Sequence, residues 1–290
     1  MSFLPPELFS VVDPRPIVRQ VALEAFGTAS GRPVYDGGRL IGTLHENEEA
    51  TVCFFEEIVP ADLSATREEQ TLSVFETIAR VLCAEGMEFR HLVRTWFYLD
   101  KILAWYDGFN QTRTPFLQAR GAFGGVVPAS TGIGMPNRFG AAVVAGALAI
   151  KPKKIARVRE VASPLQCPAL DYKSSFSRAV EVERADGRAL YISGTASIEA
   201  GGKTAYAGEP QSQIELTMQV VAALLQSRQM DWSDTTRAIA YFKEGKDAPL
   251  FADYLRANGL EALPVTWMHG DICRDDLLFE IELDAVKKPR

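Results

Sequence analysis

The feature that most limits how this chain can fold is that it repeats itself. Setting Gln70 against Gln213, an offset of 143, places Val74 on Thr217, Ile78 on Val221 and Leu82 on Leu225 without a gap. The same offset carries Phe89 to Trp232, Arg94 to Arg237, Tyr98 to Tyr241 and Leu99 to Phe242. Helix, loop and strand thus recur with constant internal length, and an Arg-x-x-x-Tyr pair recurs with them, which favours duplication over a chance match of two amphipathic helices. Pro128 and Pro264 lie 136 apart, so the second copy is 7 residues shorter before its closing strand. Each half reads strand–strand–helix–strand–helix–strand, a tandem duplication of an α+β unit.

Local signals in the first copy agree with this. Val34 to Gly42 reads as two strand pieces around the Asp36-Gly37-Gly38 turn, and Ala50 to Val59 as a further β run. Thr66 to Glu85 reads as a helix: Leu72, Phe75, Ile78, Ala79 and Leu82 recur at helical spacing, Thr66 and Glu69 have capping-box spacing, and Gly86 ends it. Leu92 to Leu99 follows as a strand and Asp100 to Gln118 as a second helix. Residues 1–30, with Pro5, Pro6, Pro14 and Pro16, read as an irregular lead-in. Lys151 to Ala169 is charged, contains Pro164 and Pro168 and has no apolar period, so it reads as the linker plus the entry to the second unit. The units are then 1–155 and 156–290.

Composition bounds the function. The 290 residues are 47% apolar, enough for a true core, and the net charge is −6 with no basic stripe, which argues against nucleic acid as a partner. Cys53, Cys83, Cys167 and Cys273 are far apart, fitting reduced thiols in a cytoplasmic protein better than disulfides or zinc. No apolar run approaches the ~20 residues of a membrane span, and the first residues lack the pattern of a signal peptide.

The stretch richest in chemistry is Leu263 to Glu282. Leu278, Glu280 and Glu282 alternate there with Phe279, Ile281 and Leu283, which puts both glutamates on one strand face. An acid among apolar neighbours suits general acid–base work. The corresponding strand of the first half, Ala141 to Ile150, has no Glu, so the second half is expected to carry the chemistry and the first to shape the interface. Ser193, Thr195 and Ser197 alternate along a strand interrupted by Gly194 and could hydrogen-bond a carboxylate or hydroxyl; a strand kinked for packing explains them equally well. Arg178 opens the strand Ala179 to Val182 and could aim a guanidinium at an anion or simply pair on the surface. Cys273, beside Ile272, reads first as a small packed hydrophobe.

Tyr191-Ile-Ser-Gly-Thr-Ala-Ser-Ile198, Gln213 opening a helix, the late Glu280-Ile-Glu282 strand and Arg94-Thr-Trp-Phe-Tyr-Leu-Asp100 together resemble the RidA/YjgF/UK114 superfamily, over roughly Val34 to Val286. Within it the chain is most similar to the chorismatases. This rests on Trp105-Tyr106-x-x-Phe109-x-x-x-Arg113, Pro128-Ala-Ser130, Phe176-Ser-Arg-Ala179, Ser193 to Ile198 and Asp271-Ile-Cys-Arg274-x-Asp276-Leu-Leu-x-Glu280-Ile-Glu282. The resemblance implies two RidA/YjgF-like (chorismate mutase-like) units, each a mixed sheet with two helices on one face, and trimer-like self-association. It further implies an enzyme that removes an enolpyruvyl group from a small cyclic carboxylic acid without a cofactor. Glu280 would be the acid, and Arg178, Arg274, Tyr172, Thr195, Ser197, His269 and Cys273 the substrate-binding candidates. Two alternatives are a RidA-like enamine/imine deaminase and a non-catalytic metabolite-binding protein. Deaminase members hold the substrate carboxylate with an Arg where this chain has Ser130 and Thr266.

Overall fold

The computed structural model describes residues 31–153 and 157–288. The proline-rich lead-in and the signal-peptide reading fall outside that range.

The duplication is visible in the topology. The first unit contains β1 (Arg32–Asp36), β2 (Arg39–Glu46), β3 (Ala50–Ile58), α1 (Arg67–Ala84), β4 (Leu92–Leu99), α2 (Tyr106–Ala119), β5 (Ala129–Gly134) and β6 (Val143–Pro152). The second repeats the order with β7 (Arg157–Val161), β8 (Ala179–Arg184), β9 (Gly187–Ala196), α3 (Pro210–Ser227), β10 (Thr235–Phe242), α4 (Ala248–Ala257), β11 (Val265–His269) and β12 (Phe279–Lys287). The sheets run β1-β2-β3-β6-β4-β5 and β7-β8-β9-β12-β10-β11. Among the strands of the described residues, β4/β5 and β10/β11 pair in parallel and the rest antiparallel, so each sheet is mixed. The Arg67–Ala84 helix has the expected cap, Thr66 and Glu69 each bonding the other's backbone.

Three differences from the sequence reading have physical causes. A short strand that the repeat pattern omits precedes the last one in each unit. β5 is small and polar, Ala-Ser-Thr-Gly-Ile-Gly, and lacks the bulky residues that announce a strand. The linker region also hides β7, an edge strand paired only with β8, whose exposed Arg157 and Arg159 mask its apolar period. Finally, Asp100 to Gln118 is not one helix: a 3-10 turn at Ile102–Ala104 comes first and α2 starts at Tyr106.

The two sheets face one another across an apolar layer that includes Phe54, Trp96 and Leu148 from the first unit and Val180, Tyr191 and Tyr241 from the second. Helices α1 and α2 pack on the outer face of the first sheet, and α3 and α4 on that of the second. Along β12, Phe279, Ile281, Leu283 and Ala285 pack under the helices. The alternation of a strand therefore turns Glu280, Glu282 and Asp284 toward the other unit.

The pair that anchors the repeat has one job in both copies. The Gln70 amide donates to the carbonyls of Leu63 and Ala65 and accepts from Ala142 N–H. Gln213 donates to Tyr206 and Asp276 and accepts from Leu278 N–H. Each ties the loop before its helix to the entry of the closing strand. Gln213→Ala removes three part-buried bonds to the backbone, and the expected loss is about 1–2 kcal/mol, read from a shift of the urea midpoint at unchanged m-value.

Candidate active site

Glu280 sits where the two units meet. Tyr241 lies opposite Glu280 on β12, as Tyr98 lies opposite Val144 on β6. The first-unit counterparts of Glu280, Glu282 and Asp284 are therefore Val144, Gly146 and Leu148, and only the second unit has acids on this strand. Glu280 is buried and its carboxyl makes no hydrogen bond or ion pair among the described residues. Burial pushes its pKa up to about 8, and the neighbouring Glu282 charge pushes the same way, against Arg94 and Arg178. At neutral pH this carboxyl holds its proton.

Glu282, two residues on, is the opposite case. It accepts from Arg94 Nη2 at 2.8 Å and Trp96 Nε1 at 3.0 Å, both in the first unit, and pairs with Arg237 of its own. Despite the cost of burial, the two guanidinium groups hold it ionised, below the usual carboxylate range. Two glutamates on one face thus differ in protonation because one is ion-paired and the other is not.

The Glu280 carboxyl lies over Gly194, where a Cβ would clash with its Oε1. The β9–β12 register shifts here, with Thr195 opposite Ile281 and Ile192 opposite Leu283, so Ser193 and Gly194 together face Glu282. That bulge reverses side-chain parity. Ser193 Oγ accepts from Ser130 N–H of the first unit at 2.9 Å, and Gly194 N–H donates to Thr131 Oγ1 at 3.1 Å.

A small cavity of about 40 Å³ adjoins Glu280, and a wide vestibule of about 770 Å³ opens outside it. Of the residues named from sequence, Tyr172, Arg178, Cys273 and Arg274 line the inner cavity with Glu280. The other three do not. Beyond the bulge, Thr195 turns to the helix side and bonds the Ser193 carbonyl. Ser197 bonds the Ala205 carbonyl, and exposed His269 lies beside the Lys243 carbonyl at the end of β11. The Cys273 thiol has a pKa of about 12, raised mainly by burial, which leaves it protonated and a poor nucleophile.

The first unit supplies wall residues that the sequence reading did not select as site residues: Tyr106, Arg113, Ser130 and Gly132. Tyr106 and Arg113 are seven apart on α2, two turns on one face, and that spacing was the available signal. Arg113 is buried, its Nη2 donates to Asn110 Oδ1 at 2.6 Å, and its Nε has no partner. Arg178 gives its Nε and Nη2 to the Cys167 carbonyl, and Arg274 gives Nη1 to that of Gly202. None of these three arginines has a carboxylate within 4.0 Å among the described residues. The cavity therefore presents three cations without counter-ions and one neutral acid. No group of His, Cys, Asp and Glu suited to a metal occurs among the described residues.

Known proteins resemble this chain in part of its sequence and in its fold. Residues 38–147 match the family described as chorismatase FkbO/Hyg5-like, N-terminal. A chorismatase crystal structure superposes with a TM-score of 0.70 at 21% identity, covering 88% of this chain and 80% of its own. An endoribonuclease L-PSP-like protein of Entamoeba histolytica aligns over 45% of this chain and 100% of its own, with 20% identity and TM-score 0.38. A YjgF/YER057c/UK114-family protein of Mycobacterium tuberculosis gives 20% identity, the same coverage and TM-score 0.36. No curated protein matches significantly. The likeness to chorismatases is thus in the family match of the first unit and in the fold of nearly the whole chain. No helix among the described residues is long and apolar enough to cross a membrane.

Proposed function

We propose that this chain, whose first unit matches the chorismatase N-terminal family, is a chorismatase-like hydrolase. It removes the enolpyruvyl side chain of chorismate, or of a related cyclic carboxylic acid, as pyruvate. The observation that carries the reading is the imbalance of the cavity: a neutral buried acid beside three arginines that lack counter-ions. Unpaired buried cations are costly unless an anion arrives, and a substrate with two carboxylates supplies it.

The chemistry follows from the charge states. Glu280 gives its proton to the methylene carbon of the enol ether, whose π pair forms the new C–H bond. The ether oxygen shares the resulting positive charge as an oxocarbenium ion beside the Glu280 carboxylate. Water adds to the cationic carbon and returns a proton to Glu280. The hemiketal then breaks its C–O bond to the ring, the proton passes to the ring oxygen, and pyruvate leaves with a ring diol. One water is consumed and Glu280 ends protonated, ready for another turn.

Incubation with chorismate, with pyruvate as the readout, tests the reading; release no faster than that of a Glu280→Gln control would sink it. Release of ammonia from an amino-acid-derived enamine would favour the deaminase alternative instead. Arg113→Met removes the first unit's cation. The expected effect is a KM for chorismate raised about 10–100-fold with a much smaller change in kcat, measured from initial rates.

A further inference from the structure

The inner cavity and the vestibule are separated by a partition, and the partition has one member free to move. About 40 Å³ is room for a few waters at most, each needing ~10–15 Å³ of such space, whereas small-molecule pockets run to ~300–1,000 Å³. The vestibule falls in that range, but Glu280 lines only the inner cavity. A ring acid resting in the vestibule reaches Glu280 only if the wall between them opens.

Five residues line both spaces: Tyr106, Tyr172, Ser174, Cys273 and Arg274. Tyr106 is fixed by helix α2 and by polar neighbours Arg113, Asn110 and Ser174. Ser174 and Cys273 are too small to close the gap alone. Among the described residues Arg274 has one hydrogen bond, to the Gly202 carbonyl, and shifts only when a stronger acceptor takes its place. Tyr172 differs from all of them. Its hydroxyl is buried without a hydrogen-bond partner. It ends a single 3-10 turn, Ala169–Tyr172, and the next residue, Lys173, has φ 67, a left-handed conformation uncommon for a residue with a side chain. Its ring rests on the apolar cluster of Ala196, Ile198, Ile272 and Leu277, which has no directional hold on it, and two cations clasp it: the Arg274 guanidinium lies 5.0 Å and that of Arg178 5.3 Å from its centroid.

We propose that Tyr172 is a specificity gate that an anionic substrate opens by drawing Arg274 and Arg178 off its ring. This rests on the reading of the cavity as an anion-binding active site. A guanidinium–carboxylate bond is charged on both sides, so it is stronger than a cation–π contact and than the bonds the two arginines give to the Cys167 and Gly202 carbonyls, and a carboxylate outcompetes the ring for either arginine. With its clasp gone, the ring has no hydrogen bond to hold it across the opening. A neutral analogue does not make this exchange and stays in the vestibule.

Cys273 lies in the partition and reports the gate without turnover. Its alkylation by iodoacetamide, followed by peptide mass spectrometry, is compared in the wild type, Tyr172→Phe and Tyr172→Ala, with Cys53 of the first unit's core as the internal reference. The expected result is labelling of Cys273 at least tenfold faster in Tyr172→Ala, with Cys53 unchanged, and a wild-type rate in Tyr172→Phe, which keeps the ring. Equal rates in all three proteins would overturn the gate. So would a rise shared by Cys53, which marks a loosened fold, or a fast Tyr172→Phe, which assigns the closure to the hydroxyl. Pyruvate release from chorismate is measured separately. A labelling pattern as expected with no pyruvate from the wild type leaves the gate standing and removes the chorismatase reading.

Discussion

Glu280→Gln is expected to lower kcat for pyruvate release by about 10²–10⁴-fold, the range that a positioned general acid contributes, while making the protein more stable at neutral pH. The two effects have one cause. Burial and the Glu282 charge raise the Glu280 pKa from 4.5 to about 8, so the folded protein binds a proton there that the unfolded chain has lost at pH 7. Stability from this group is full below the unfolded value near 4.5 and is lost as pH rises through about 8. At pH 7 the folded state has already forgone on the order of 3 kcal/mol by keeping an acid where a neutral amide fits. The glutamine variant has nearly the same shape and no such loss. Its gain in stability over the wild type should be near zero at pH 4 and grow to a plateau above pH 8, measured by chemical denaturation across pH. In the wild type the active species is protonated, so kcat/KM should be level below about pH 7 and fall tenfold per unit above about pH 8. A rate that rises with pH through this range would mean that Glu280 acts first as a base, and the enol-ether protonation step would fail.

The sequence disclosed what periodicity and repetition can disclose. The offset of 143 residues located both copies because Gln70 and Gln213 fasten the same joint, and the 136-residue offset reappears in the register that sets Val144 against Glu280. The face of Glu280 followed from strand alternation alone. Thr195 was misplaced for the reason that alternation is a local rule: a bulge at Ser193 and Gly194 flips the parity, and a strand with small residues does not reveal its bulge in advance. The wall made by Tyr106, Arg113, Ser130 and Gly132 was missed because it is a property of how the units dock. Strand β7 was missed because an edge strand with arginines on its open side has no apolar period to detect.

The docking itself turns on the recurring arginines. Arg94 and Arg237, equivalent in the two copies, converge on the single Glu282 carboxylate, and Arg237 also gives its Nε to Asp284 at 2.8 Å. All four side chains are buried between the sheets, and Arg94 and Arg237 both lie against the Trp96 ring. Glu282→Leu leaves Arg94 without its one acid partner among the described residues, an uncompensated buried charge. The expected cost is about 3–5 kcal/mol, measured by denaturation. Arg237 keeps Asp284, so the loss belongs mainly to Arg94. Adding Arg94→Met to Glu282→Leu should therefore restore part of the stability, although it removes a second native side chain, because a buried pair replaced by apolar groups is often neutral. Losses that simply add would show that Arg94 does not depend on Glu282 for its charge. The same exchange reaches the active site. Glu282 raises the proton affinity of Glu280 and Arg94 lowers it. Glu282→Gln removes only the first influence, so the alkaline limb of kcat/KM should move below pH 8 in that variant. It should return toward the wild-type position when Arg94→Met is added, because both opposing charges are then gone.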